Sequence, residues 1–182
     1  MEESAEIPPK KLPVEEFVDR HKESLRRHIE FVVGTEHRLL EQIYAETIRL
    51  LRADSEGYNA RHNLENKWMR DLSEEAWTMR HIHSVLDTYG LFYKENMTSP
   101  STGRVESTPQ LERLRMYIRT HQDVINTIRS ESIRTVFLLY FVEEMSVGEI
   151  TSIMEIKNQR TVQEYIRSAE ISLRAIQRDM HK

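Results

Sequence analysis

The sequence of 182 residues contains no cysteine. This absence excludes a disulfide framework and any zinc site built on thiolates, and it is typical of proteins kept in a reducing compartment. No apolar run reaches the roughly 20 residues that a membrane-spanning helix needs. The first residues, MEESAEIPPKKLPVEE, lack the apolar stretch of a signal peptide. We therefore expect a cytoplasmic protein without membrane insertion.

Glycine and proline are also scarce, with five residues of each. Because Pro8, Pro9 and Pro13 all fall near the start, residues 1–13 are expected to form an irregular, flexible tail. Apolar residues recur at helical spacing along most of the remaining chain, and strand patterns are weak. The apolar run at 136–142 also fits a buried strand, but its neighbours favour a buried helix. The sequence predicts an all-α protein.

The best candidate for a linker is a segment that is rich in serine and threonine and also holds proline and glycine. We expect two small helical domains, 14–94 and 109–182, joined by a flexible linker at 95–108. Thr108 is the expected N-cap of the helix that Pro109 begins. The predicted helices cover residues 14–33, 39–51 and 63–89 before the linker, and 132–142, 147–154 and 161–177 in the last third.

Two helices near the C-terminus carry the clearest functional pattern. Ser146 and Glu149 have the spacing of a capping box at the start of a short helix. A turn with one buried apolar residue, Ile156, precedes Thr161, which is the expected N-cap of the longer helix. Two helices across a short turn are the arrangement of a helix-turn-helix, whose second helix enters the major groove of DNA. We therefore predict a helix-turn-helix in the C-terminal domain.

The second helix of this pair has a polar face suited to DNA. Arginine reaches guanine, glutamine reaches adenine, and serine or arginine holds phosphate. A plain helical hairpin with a solvated polar face explains the same pattern equally well. The residues expected to contact DNA are Arg160, Thr161, Gln163, Glu164, Arg167, Ser168 and Arg174.

Three runs extend this pattern: R-x-V-F-L-L at 134–139, E-x-M-S-x-x-E-I at 143–150, and T-V-x-x-x-I-x-x-A-x-x-x-L-R at 161–174. Together they resemble region 4 of bacterial sigma factors, especially the extracytoplasmic-function (ECF) group. The resemblance implies that the residues above read the −35 promoter element. The turn before Thr161 is one residue longer than the usual family turn, and Glu155 stands where the family usually has glycine.

The first half is similar to region 2 of the same family. The stretch at 41–48, EQIYAETI, resembles E-D-L-V-Q-E-T-F, which implies contacts with core RNA polymerase. The stretch at 77–84, WTMRHIHS, stands in the position of the helix that melts the −10 element. Alternatively, Trp68 and Trp77 are core residues. The implied polymerase contacts are Glu41, Gln42, Ala45 and Glu46, and the implied −10 contacts are Trp77, Arg80, His81, His83 and Ser84.

The resemblance implies an ECF-type sigma factor that binds core RNA polymerase and directs promoter-specific initiation through −10 and −35 recognition. A formal net charge of −4 fits this function if the polymerase supplies most of the nonspecific grip on promoter DNA. An anti-sigma protein is a further expected partner. The alternative is a sigma-like DNA-binding regulator or polymerase adaptor that does not support initiation.

No catalytic constellation is visible, so we do not expect an enzyme, and we expect no cofactor. The eight histidines do not show metal-ligand spacing. His81 and His83, for example, lie two residues apart on a predicted helix and face different directions. We therefore expect no metal site.

Overall fold

The computed structural model describes residues 13–35, 37–91 and 103–182, and all regular secondary structure in these ranges is helical. The predicted all-α class is confirmed. Residues 1–12 of the expected tail and residues 95–102 of the expected linker lie outside the described residues. Within the described ranges, no helix is both long and apolar enough to cross a membrane.

The helix boundaries agree with most of the predicted ranges. Residues 122–127 form a short 3₁₀ helix, and residues 138–142 extend the preceding helix as a π turn. The helices, in chain order, are α1 (Pro13–Val33), α2 (Leu40–Ala53), α3 (Ser55–His62), α4 (Lys67–Thr88), α5 (Pro109–Thr120), α6 (Glu131–Phe137), α7 (Val147–Ile153) and α8 (Gln159–Met180).

The chain forms two compact units, one ending at Asn59 and the other comprising Ala60–Lys182. These units do not coincide with the predicted domains 14–94 and 109–182, because α4 belongs to the second unit. The apolar face of α4 explains this assignment. Its buried residues Met69 and Ala76 join the core clusters that α5 to α8 build.

In the first unit, α1 packs against α2. Gly34 ends α1 in a left-handed conformation with φ of 90°, and its N–H donates to the Glu30 carbonyl at 2.8 Å. Glycine adopts this conformation without the steric cost that a Cβ would add. The packing between the helices buries Ile29 on α1 and Ile43 on α2 completely.

The predicted helices leave residues 52–62 as a connection, and the polar cluster at 54–57 is typical of a loop, but α3 begins at Ser55. The Asp54 side chain accepts a hydrogen bond from the Gly57 N–H at 3.0 Å. An aspartate at this position satisfies one of the free amides of the first helical turn. The polar cluster that indicated a loop is therefore the start of a helix, and α3 buries Tyr58.

The second unit has two apolar clusters that α4 helps to build. The first joins α4, α5, α6 and α8 through residues such as Met69, Leu114, Phe137 and Ile176. The second joins α4 to the π turn, α7 and α8; its buried residues are Ala76, Val136, Leu139, Met145, Ile150, Val162 and Ile166. Burial in common clusters makes α4 to α8 one packing unit.

Three arginines bind the chain where the π turn ends. Arg115 donates to the Phe141 carbonyl at 2.8 Å, Arg80 to the Glu143 carbonyl at 3.0 Å, and Arg104 to the Glu144 carbonyl at 2.7 Å. The last carbonyls of a helix lack helical partners and lie at the negative end of its dipole. Arg115 satisfies one carbonyl of this helix end, and Arg80 and Arg104 satisfy carbonyls of the two residues after it, which lead into α7.

Candidate nucleic-acid interface

The start of α7 is fixed by the predicted capping box. The Glu149 N–H donates to the Ser146 hydroxyl at 3.1 Å, and the Ser146 N–H donates to the Glu149 carboxylate at 3.2 Å. The structure confirms this sequence prediction. The reciprocal bonds satisfy two amides that would otherwise lack partners, so the first residue of α7 is well defined.

Behind the capping box lies a buried polar network. The Glu149 carboxylate, only 1% exposed, lies 2.6 Å from Arg104 Nη2 and 3.2 Å from His83 Nδ1. Burial acts to raise the pKa of Glu149, but the hydrogen bond with His83 and the charge of Arg104 outweigh it. The pKa therefore lies below its usual range. The network ties α7 to α4 and to the segment before α5.

A short turn joins α7 to α8. Glu155 adopts a left-handed conformation in this turn, with φ of 54°. Ile156 follows and is partly buried against the second cluster. The Ile156 N–H donates to the Thr151 carbonyl at 3.0 Å, which closes the turn back onto α7. The turn thus places the start of α8 close to the end of α7.

The predicted N-cap of α8 at Thr161 is wrong. The helix begins two residues earlier, at Gln159, and the Asn158 side chain accepts from the Arg160 N–H at 2.9 Å. Asparagine caps helices at least as well as threonine does, and it comes first along the chain. Thr161 lies inside the first turn of α8, where its N–H donates to the Asn158 carbonyl at 3.1 Å.

One face of α8 is buried, and the other is exposed and polar. The spacing of the apolar residues predicts a buried face of Val162, Ile166, Ala169 and Leu173. The first three are buried, and Leu173 is partly buried. Among the residues expected to contact DNA, Thr161 and Ser168 are half-buried. The exposed members of that set are Arg160, Gln163, Glu164, Arg167 and Arg174.

The exposed face is only weakly neutralised by its own acidic residues. The Arg160 side chain is 81% exposed and lies 3.5 Å from the Glu164 carboxylate. Among the described residues, no carboxylate forms an ion pair with Arg167. Exposed arginine and glutamine side chains on the first turns of a helix can reach base edges, and the positive end of the helix dipole favours phosphate. This part of α8 therefore carries side chains of the kind that contact DNA.

The sequence prediction left one basic residue out of the set. Lys157 is exposed in the turn immediately before α8, next to the helix N-terminus that the set surrounds. A lysine at this place can hold a backbone phosphate as a point charge. Its position in the polar run 157–160 is the signal that identifies it.

The expected −10 residues do not form an exposed set. Trp77 and His83 are 2% and 3% exposed, so neither can stack against a base. Arg80 donates to the Glu143 carbonyl, and His81 Nδ1 lies 2.7 Å from the Trp77 carbonyl. Only Ser84 is exposed. This expectation needs correction, because α4 is a packed helix of the second unit.

The two tryptophans of α4 have structural environments. Trp77 is buried, which agrees with the alternative interpretation as a core residue. Trp68 is partly buried against the first cluster, and the Arg134 guanidinium lies over its ring, 4.7 Å from the centroid. A cation in this position is attracted by the ring.

The residues expected to bind polymerase lie on α2, in the first unit. Glu41, Gln42 and Ala45 are exposed, and Glu46 is half-buried. Hydrogen bonds from Arg26 and Arg49 hold the pKa values of Glu41 and Glu46, respectively, below their usual range. The four residues share one side of the helix, because they fall at helical spacing. They form a solvated surface with its own ion pairs.

Among the residues that the structure describes, no group of three or more histidine, aspartate or glutamate side chains is arranged to hold a metal ion. No protein-family model, curated protein or solved structure matches the chain. The resemblance to sigma regions 2 and 4 therefore rests on the residues that carry it.

Proposed function

We propose that the second unit is a helix-turn-helix DNA-binding domain and that the chain is a sigma-like transcription regulator. The observation that carries this proposal is the pairing of α7 and α8. A capping box starts α7, a short turn follows, and α8 buries one face while exposing a row of arginine and glutamine side chains. In a helix-turn-helix, the second helix enters the major groove.

In this proposal, the N-terminal half of α8 reads promoter DNA. Arg160, Gln163 and Arg167 contact base edges, where arginine and glutamine discriminate guanine and adenine. Thr161 and Ser168 are half-buried, which suits short hydroxyl contacts with backbone phosphates at the rim of the groove. Lys157 adds a phosphate contact at the helix N-terminus.

The proposal includes core RNA polymerase as the main partner. A chain with a net charge of −4 has little general attraction for DNA, so a partner must supply that affinity. The exposed residues Glu41, Gln42 and Ala45, with the neighbouring Glu46, are the proposed polymerase contacts. An anti-sigma protein remains a predicted partner.

Two forms of this function differ in the role of α4. A complete ECF sigma factor melts the −10 element, which requires aromatic side chains that stack on unpaired bases. Burial of Trp77 and His83 leaves α4 without such a surface. This observation favours the regulator or adaptor that binds DNA without supporting initiation.

Selection of binding sites from random duplex DNA tests the DNA-binding proposal. The full chain is used alone and with core polymerase, and its Arg167→Ala variant is compared with Arg129→Ala, an exposed arginine outside α8. We expect one enriched motif that is retained by Arg129→Ala and weakened by Arg167→Ala. Absence of any enriched motif under both conditions would exclude sequence-selective binding.

Run-off transcription with purified core polymerase separates the two forms of the function. The template carries the motif found by selection at the −35 position. We expect that this chain and core polymerase, without any further factor, give no promoter-specific transcript. A specific transcript would establish the complete sigma activity and would require α4 to adopt another arrangement on the polymerase.

A further inference from the structure

An open groove lies between the start of α5 and the C-terminal half of α8. Its volume is about 530 Å³, and the apolar residue in its lining is an isoleucine that does not belong to either core cluster. Ile171 is 67% exposed, whereas the neighbouring apolar residues Ala169 and Ile176 of α8 are buried. The groove, called the α5–α8 groove below, is lined by Gln110, Ile171, Arg174, Gln177, Arg178 and His181.

The charges of the α5–α8 groove have one sign. Arginine and histidine line it, and none of its lining residues is acidic. On α8, Glu170 lies 3.9 Å from Arg174 of the rim and Asp179 lies 2.9 Å from Lys182, whereas Arg178 forms no ion pair with any described carboxylate. A basic rim around an exposed apolar side chain is complementary to an acidic segment that carries an apolar residue.

The groove is separate from the proposed DNA-reading residues. With a rise of about 1.5 Å per residue, Ile171 lies about 16 Å along the axis of α8 from Arg160. The N-terminal residues of a recognition helix are the ones that contact base edges, so Ile171 lies beyond the proposed contacts at 160–168. Arg174, which the sequence placed in the DNA-contacting set, lines the α5–α8 groove instead.

We propose that the α5–α8 groove docks an acidic helical segment of a partner protein. An apolar side chain of that segment packs on Ile171, and its carboxylates pair with Arg174 and Arg178. A symmetric contact between the grooves of two copies is disfavoured, because it would bring like charges together. A DNA backbone does not fit, because phosphates leave Ile171 in water. The docking does not depend on DNA binding by α8.

The test uses a labelled helical peptide in which glutamates flank a row of leucines. Its binding to the full chain is measured by fluorescence anisotropy. Two controls accompany it: a peptide of equal charge in which serines replace the leucines, and one in which lysines replace the glutamates. We expect binding of the first peptide and little binding of either control.

Matched variants locate the binding. Ile171→Ser is compared with Met116→Ser, which alters an apolar residue of similar exposure on α5, at 66%. Arg178→Glu is compared with Arg129→Glu. We expect Ile171→Ser and Arg178→Glu each to weaken binding by about tenfold or more, which corresponds to loss of one buried apolar contact or charge pair. The two control variants should bind as the natural chain does.

Three results would overturn the proposal. One is equal binding of the leucine-free peptide, which would show simple charge attraction. Another is no detectable binding of the amphipathic peptide to the natural chain. The third is loss of DNA selectivity in Ile171→Ser but not in Met116→Ser, which would assign the groove to DNA. Failure of DNA selection in the natural chain would leave the peptide result standing, so the two proposals fail separately.

Discussion

At Glu155, both the backbone conformation and the position of the charge are unfavourable for stability. Its φ of 54° is a conformation that costs a non-glycine residue about 1–2 kcal/mol. Its charge also faces Glu75, whose pKa is raised first by burial and then by this neighbour. The sequence marked the position because the resembling family usually has glycine there. The backbone conformation supplies the physical reason.

Glu155→Gly is expected to raise the free energy of unfolding by about 0.5–1 kcal/mol, since glycine adopts the left-handed conformation freely but loses more chain entropy. Urea denaturation measures the change. Glu155→Ala removes the charge and keeps the strained backbone, so it should stabilise the protein less. Equal effects of the two variants would show that charge, and not backbone strain, is responsible.

The ionisation of Glu149 makes the stability of the folded chain depend on pH. Its pKa is lower in the folded chain, so the carboxylate contributes stability that is fully present above the unfolded pKa, about 4.3. That contribution is lost as the pH falls through the lower, folded pKa. Glu149→Gln should therefore lower the unfolding free energy at pH 7 by about 2 kcal/mol, because it leaves Arg104 and His83 without their carboxylate.

Denaturation at neutral and acidic pH checks the Glu149 prediction. The natural chain should lose stability below about pH 4.3, and Glu149→Gln should lose less over the same interval. Glu164→Gln is the matched control, because the Glu164 side chain is 58% exposed. The explanation fails if the natural chain and Glu149→Gln show the same dependence on pH.

At the scale of the element, Asn158 and Thr161 are the two candidate N-caps of α8. Asn158→Ala is expected to lower the unfolding free energy by about 1 kcal/mol, because it removes the acceptor for the Arg160 N–H. Thr161→Ala should change it by less than about 0.5 kcal/mol, as is usual for a residue without such a role. Thermal and urea unfolding of the two variants would give the reverse order if Thr161 were the cap.

At the scale of the whole molecule, the shared core decides which helices unfold together. Met69 on α4 is 1% exposed and belongs to the cluster that α5, α6 and α8 share. Met69→Ala should cost about 3 kcal/mol through lost burial and the cavity that remains. Hydrogen exchange should then become faster in α4 and also in α5 to α8.

The predicted domains give a different expectation for Met69→Ala. If α4 were stabilised only within a domain at 14–94, exchange in residues 109–182 would not change. Thr120→Ala, at an exposed position at the end of α5, is a control that should leave exchange in both regions close to that of the natural chain. Unchanged exchange in α5 to α8 of Met69→Ala would contradict the shared core.

The local signals in the sequence were sufficient for much of the helical structure. The spacing of apolar residues predicted the buried face of α8, and Thr108 and Ser146 act as the caps that were expected. These features depend on residues a few positions apart, so short-range patterns contain them. The α3 helix and the Asn158 cap were missed, because asparagine and aspartate favour both loops and helix starts.

The sequence by itself determined the all-α class and the row of polar residues on α8, because both follow from helical periodicity. Only the tertiary structure decided that α4 packs with α5 to α8, because that depends on which apolar faces meet across distant parts of the chain. The same packing buries Trp77 and His83, which changes their expected role. It also leaves Ile171 exposed, because no described helix covers that side of α8.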